Sequence, residues 1–219
     1  MSKKSIAVIL SGCGHLDGSE IHETTLTLWA IHKNGADYQC YAPNISQSQV
    51  SNHLTGETMD EKRNVLVEAA RIARGDILDL ATFEAESHDA LILPGGLGAA
   101  SNLSDFATKG HACHINVAVE KAILATHALQ KPIAALCIAP VILARILPRV
   151  ELTIGQDKNT ATAIEEMGAS HRSTMQCEVV VDSHLKVVTT PCYMLESRVD
   201  QIGEGADRLV QEVIKLMET

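Results

Sequence analysis

The chain has 219 residues, 46% of them hydrophobic and 21% charged, and a net charge of −9. That length can bury a sizeable core and reads as a single domain over residues 1–219. The acidic balance, the absence of a basic run and an aromatic content of 3% argue against a nucleic-acid partner, and no apolar stretch approaches a membrane span. Met1-Ser-Lys-Lys leads into the apolar hexamer Ser5–Leu10, which is too short for a signal-peptide core. The six cysteines, Cys13, Cys40, Cys113, Cys137, Cys177 and Cys192, form no C-x-x-C pair. They read as reduced thiols, and the expected location is cytoplasmic.

In chain order, Ser5–Leu10 predicts a buried strand and Glu20–Asn34 a helix closed by Gly35. Asp37–Tyr41 predicts a second strand, and the polar stretch from Pro43 to Asp60 a surface excursion. Glu61–Arg74 predicts a helix with Val65, Ala69, Ile72 and Ala73 on one stripe. Asp89–Leu93 predicts a third strand, stopped by Pro94-Gly95-Gly96. A helix over Asn116–Leu129, a strand over Pro132–Leu136 and a helix over Pro140–Ile146 follow. Val150–Ile154 predicts a short strand and Asn159–Met167 a helix. Val179–Asp182 and Lys186–Thr189 flank a Ser183-His184 turn and predict a hairpin. The last helix is expected over about Gly205–Met217. Strands alternating with helices imply an α/β fold with a mostly parallel sheet covered on both faces, and the late hairpin implies antiparallel strands at one edge.

Three segments carry candidate chemistry. In Ala134-Ala-Leu-Cys137-Ile-Ala139-Pro140 a hydrophobic strand ends in a cysteine and a helix follows at once. Small residues two before and two after Cys137 suit a nucleophile elbow, whose sharp turn brings those positions together. A helix N-terminus behind the sulfur would lower its pKa and favour the thiolate. A structural core thiol is the other reading. Leu91-Ile-Leu-Pro94-Gly95-Gly96-Leu-Gly98 ends the third predicted strand, where α/β sheets bind ligands. The backbone N–H of Gly96, with that of Ile138, could form an oxyanion hole; an ordinary tight turn is the alternative. Ser11-Gly-Cys-Gly-His-Leu-Asp-Gly18-Ser19-Glu20-Ile-His22-Glu23 joins the first strand to the first helix without dinucleotide spacing. Ser19 is the expected N-cap, and Glu20 and Glu23 are either helix-dipole partners or a general acid/base for Cys137. Cys13 with His15, and His111 with Cys113 and His114, lack zinc-ligand spacing, so no metal is expected.

Together these segments resemble the PfpI-type branch of the class I glutamine-amidotransferase-like superfamily, and within it glyoxalase-type members. Gly18-Ser-Glu-Ile-His-Glu23, Leu54-Thr-Gly-Glu57, Arg63-Asn-Val-Leu-Val-Glu-Ala-Ala-Arg-Ile-Ala-Arg-Gly75, Leu93-Pro-Gly-Gly-Leu-Gly-Ala99, Cys137-Ile-Ala-Pro140 and Val188-Thr-Thr-Pro191 carry the likeness. The resemblance implies a flavodoxin-like three-layer sandwich, a homodimer, no cofactor, and turnover of glyoxal to glycolate. It implies Cys137 as nucleophile, Glu23 as the carboxyl contacting its sulfur, and Gly95, Gly96 and Ile138 as the backbone around the substrate. Ile138 stands where PfpI-type proteases place histidine, so proteolysis is not expected. His171 is followed by Arg-Ser and His184 by Leu-Lys, so the glutaminase His-x-Glu is absent. The rival reading is a non-catalytic redox sensor or regulator of isoprenoid metabolism that uses the same thiol.

Overall fold

The computed structural model describes residues 3–219. The chain runs β1 (Ser5–Ile9), α1 (Ile21–Lys33), β2 (Asp37–Ala42), α2 (Val65–Ile72), β3 (Ile77–Asp79), β4 (Ala90–Leu93), α3 (Leu97–Ser101), α4 (Phe106–Lys109), α5 (Val117–Ala128), β5 (Ile133–Leu136), α6 (Pro140–Ile146), β6 (Glu151–Leu152), α7 (Lys158–Glu166), β7 (Ser170–His171), β8 (Val180–Asp182), β9 (Val187–Thr190) and α8 (Val199–Met217). Seven strands form one sheet in the order β3-β2-β1-β4-β5-β9-β8, and β6 and β7 pair separately. All neighbours in the large sheet are parallel except β8, which runs antiparallel to β9. This is the expected flavodoxin-like α/β architecture. The antiparallel content is a single edge strand, because β9 itself pairs parallel with β5.

Helices cover both faces of the central strands, so every residue of β4, β5 and β9 is buried, and β4 and β5 are apolar throughout. Helices α1 and α8 pack together, and α8 also lies against β5 and β9. Helix α5 packs against β4, β5 and α6. The chain builds outward from β1 through β2 to β3, then crosses back to β4 and builds the other way. The reversal falls between β1 and β4, where an open parallel sheet leaves a crevice beyond its carboxyl ends. Registers of Val8 with Ile92, Leu93 with Ala135 and Leu136 with Thr190 bring the loops after β1, β4, β5 and β9 to that one end.

Several boundaries differ from the sequence expectation. Helix α2 starts at Val65 rather than Glu61, because the Asn64 side chain accepts the Val67 N–H at 3.1 Å and caps it there. Glu61 and Arg63 are used instead in an ion pair at 2.7 Å. Helix α8 starts at Val199, six residues before Gly205, so Gly203 and Gly205 lie inside it. Gly205 is a packing glycine: a Cβ there would sit 3.3 Å from Thr190 Oγ1 of β9. The short edge strand β3 had no prediction at all.

Candidate functional site

Cys137 is the residue after β5, and its N–H continues the ladder to β9 by donating to the Thr190 carbonyl at 3.0 Å. Its φ of 59° is left-handed, a region that costs a non-glycine residue of the order of 1 kcal/mol. Helix α6 begins three residues later with Pro140 at its first turn. Strand, strained turn and helix make the elbow expected from the sequence, with Cys137 only 7% exposed. The N–H groups of Gly96 and Ile138 both point at the sulfur.

Gly95 and Gly96 are held to glycine by space. A Cβ on Gly95 would overlap Cys137 Cβ and Glu23 Oε2, and one on Gly96, whose φ is 100°, would overlap the Gly18 carbonyl and Glu20 nitrogen. The Glu20 N–H donates to the Gly95 carbonyl at 2.9 Å and the Gly98 N–H to the Gly18 carbonyl at 3.0 Å. These contacts lock the loops after β1 and β4 to each other.

Glu23 lies in the first turn of α1 with no exposed surface. Its Oε1 accepts the Tyr193 N–H at 3.1 Å. Its Oε2 has no formed hydrogen bond and faces the Cys137 sulfur. The N-cap of α1 is Glu20 rather than Ser19: Glu20 Oε2 accepts the Glu23 N–H at 2.6 Å. Ser19 is buried and hydrogen-bonds Ser11 instead. Of the two candidate carboxyls, Glu23 faces Cys137 and Glu20 caps the helix.

Burial raises the Glu23 carboxyl from an ordinary value of 4.5 to about 8. Burial first, and a Glu23 charge second, push the Cys137 thiol well above its usual value, while the Gly96 and Ile138 N–H groups pull it down. The expectation of a thiol lowered by its surroundings is therefore corrected: desolvation outweighs the two N–H groups. The penalty due to Glu23 falls away when that carboxyl is protonated. Two backbone N–H groups act on each member of the pair, those of Tyr193 and Gly95 on the carboxyl and those of Gly96 and Ile138 on the sulfur, so at neutral pH Glu23 is protonated and the thiolate forms only as a minor species that reacts.

Glu20 and Tyr193, both hydrogen-bonded to Glu23, line a cavity of about 320 Å³ together with His15 and His22. His22 Nδ1 and the Tyr193 hydroxyl are hydrogen-bonded at 2.8 Å. Tyr193 has no signal in the sequence motifs. It reaches the site because β9 lies beside β5, so the segment after β9 joins the crevice. Larger hollows, of about 610 and 670 Å³, lie near Cys177 and near Pro148 and His184, away from the pair. The 111–114 segment is used in ion pairs, His111 with Glu166 at 2.8 Å and His114 with Asp105 at 3.3 Å. Among the described residues no three His, Cys, Asp or Glu side chains are grouped to hold a metal.

No family model matches the chain. The chain is 44% identical over 221 residues, covering 96% of itself and 82% of the relative, to glutamine amidotransferase-like class 1 domain-containing protein 3, mitochondrial, of Homo sapiens. It is 42% identical, over 96% of itself and 83% of the relative, to the mitochondrial ES1 protein homolog of Rattus norvegicus. The chain belongs to the glutamine amidotransferase-like class 1 domain family. A crystal structure of an isoprenoid biosynthesis protein with amidotransferase-like domain from Ehrlichia Chaffeensis matches with a TM-score of 0.90 and 32% identity, over 96% of this chain and 99% of that one. Glyoxalase III of Candida albicans shares the fold, with a TM-score of 0.62 and 13% identity over 97% of each chain. These two relatives are named as mitochondrial proteins, which overturns the cytoplasmic expectation. Scattered reduced cysteines do not separate the two compartments, since both keep thiols reduced.

Proposed function

We propose that the chain is a glyoxalase that converts glyoxal to glycolate without a cofactor, of the type known as ElbB or enhancing lycopene biosynthesis protein. The observation that carries this reading is the buried pair of Cys137 and Glu23, with a protonated carboxyl facing a sulfur that two N–H groups also face. The Cys137 thiolate adds to one carbonyl carbon of glyoxal, and its oxygen takes a proton to give a hemithioacetal. Gly96 and Ile138 N–H groups stabilise the developing oxyanion. Glu23 then carries a proton from the first carbon to the second through an enediol. The product is a glycolyl thioester on Cys137. Water hydrolyses it to glycolate and returns the thiol, so the sequence consumes one water and needs no oxidant or reductant.

The missing histidine after Cys137 and the upward push on its thiol predict a slow enzyme. They also favour a second reading, a regulatory or redox-sensing protein, which the name of the Ehrlichia Chaffeensis relative would tie to isoprenoid biosynthesis. Glycolate production under excess glyoxal separates the two. The wild type should turn over many times per chain and Cys137→Ala not at all. A single reaction per thiol would leave the regulatory reading.

A further inference from the structure

The cavity whose walls include Glu20 and Tyr193, the two residues bonded to Glu23, has a one-sided charge. Its walls are the rings of His15, His22 and Tyr193 together with the Glu20 side chain, and no lysine or arginine lines it. His22 is engaged by the Tyr193 hydroxyl at 2.8 Å, and Tyr193 is anchored through its own N–H to Glu23. Glu20 is held in place by its bond to the Glu23 N–H, and it is the only carboxylate in the lining. The volume is at the small end of ligand cavities, which run from roughly 300 to 1,000 Å³. A substrate seated here has ring faces around it, one carboxylate in the wall, and no cation to pair with an anionic group.

We propose that this cavity admits uncharged or cationic small aldehydes to Cys137 and turns away those that carry a carboxylate or phosphate, with Glu20 as the residue that discriminates. The proposal rests on the glyoxalase reading for its reaction but not for its charge preference. A carboxylate in the wall lowers the local concentration of an anion and raises that of a cation, by about threefold per unit charge even in a well-solvated site. In the absence of a facing guanidinium or ammonium, an anionic substrate also loses hydration with nothing in exchange.

Two alkylating reagents of nearly equal size, uncharged iodoacetamide and anionic iodoacetate, test this without any turnover. Their rate ratio at Cys137, read by peptide mapping and divided by the ratio for a small free thiol, cancels the thiolate fraction. At about pH 8, above the ordinary imidazole range, iodoacetate should be disfavoured by at least about threefold. Glu20→Gln keeps an acceptor oxygen for the helix cap and should bring the ratio to near that of the free thiol. His15→Lys, at an exposed wall position, should reverse it. A ratio that neither substitution moves, or an iodoacetate preference in the wild type, overturns the proposal. In the turnover arm, glyoxal and methylglyoxal should be used at least tenfold better in kcat/KM than glyoxylate. If no aldehyde turns over but the ratios behave as stated, the glyoxalase reading falls and the charge preference stands. Equal use of glyoxylate overturns the preference itself.

Discussion

At the scale of the residue, Glu23 couples chemistry to stability. Folding raises its carboxyl from 4.5 to about 8, so between those values the folded chain holds a proton that the unfolded chain has lost. The stability tied to this proton is fully present below pH 4.5 and declines as pH rises towards 8, by an amount of the order of a few kcal/mol for a wholly buried group. Urea denaturation of the wild type and Glu23→Gln across this range checks it, and the wild-type curve should fall while the variant stays flatter. The same substitution tests the proton shuttle. Glu23→Gln keeps an oxygen for the Tyr193 N–H and removes the exchangeable acid, so glycolate production at saturating glyoxal should drop by about 10²-fold or more. Mass spectrometry should still detect glyoxal bound at Cys137.

At the scale of the element, β5, the Cys137 turn and α6 act together with the glycine turn after β4. The thiol is buried and pushed upward, so its alkylation by iodoacetamide should keep climbing through pH 8 instead of levelling off near pH 6 to 7. A plateau below pH 7 would show that the N–H groups and helix outweigh desolvation after all. Gly95→Ala places a methyl group where Cys137 Cβ and Glu23 Oε2 already are. It should cost about 1–3 kcal/mol of stability as an overpacked site. In the folded fraction, checked by circular dichroism, it should slow Cys137 alkylation. The Glu20 cap and the Glu20-to-Gly95 backbone bond explain why these loops are stiff enough to hold the pair apart from solvent.

At the scale of the whole molecule, the resemblance implies a two-fold homodimer, and light scattering at micromolar concentration should then give twice the 23.5 kDa chain mass. A value of one chain mass would refute it. Trp29, Ile21 and Val199 are large apolar side chains left about half exposed on α1 and at the start of α8.

Much of the architecture was legible in the amino-acid order because it is local. An all-apolar run such as Ile133–Leu136 has to be buried on both faces, which makes a central parallel strand whatever its neighbours are. Ala135, Cys137, Ala139 and Pro140 specify an elbow within a few residues, and the glycines at 95 and 96 mark a turn with no room for side chains. The limits of α2 and α8 were not legible, since a cap bond at Asn64 and close packing of Gly205 on β9 override propensity. Tyr193 was beyond the sequence as well, and the choice of Glu23 over Glu20 came only from the family resemblance, not from the residues themselves. They depend on β9 lying next to β5 and on how α1 is rotated about its axis, and both follow from long-range packing. A carboxyl beside a thiolate is expected to hold its proton, but the main cause was decided by the tertiary structure. Motif spacing places a helix N-terminus behind a cysteine, but only the folded chain removes the water around Cys137 and Glu23, and that desolvation sets the direction in which both groups titrate.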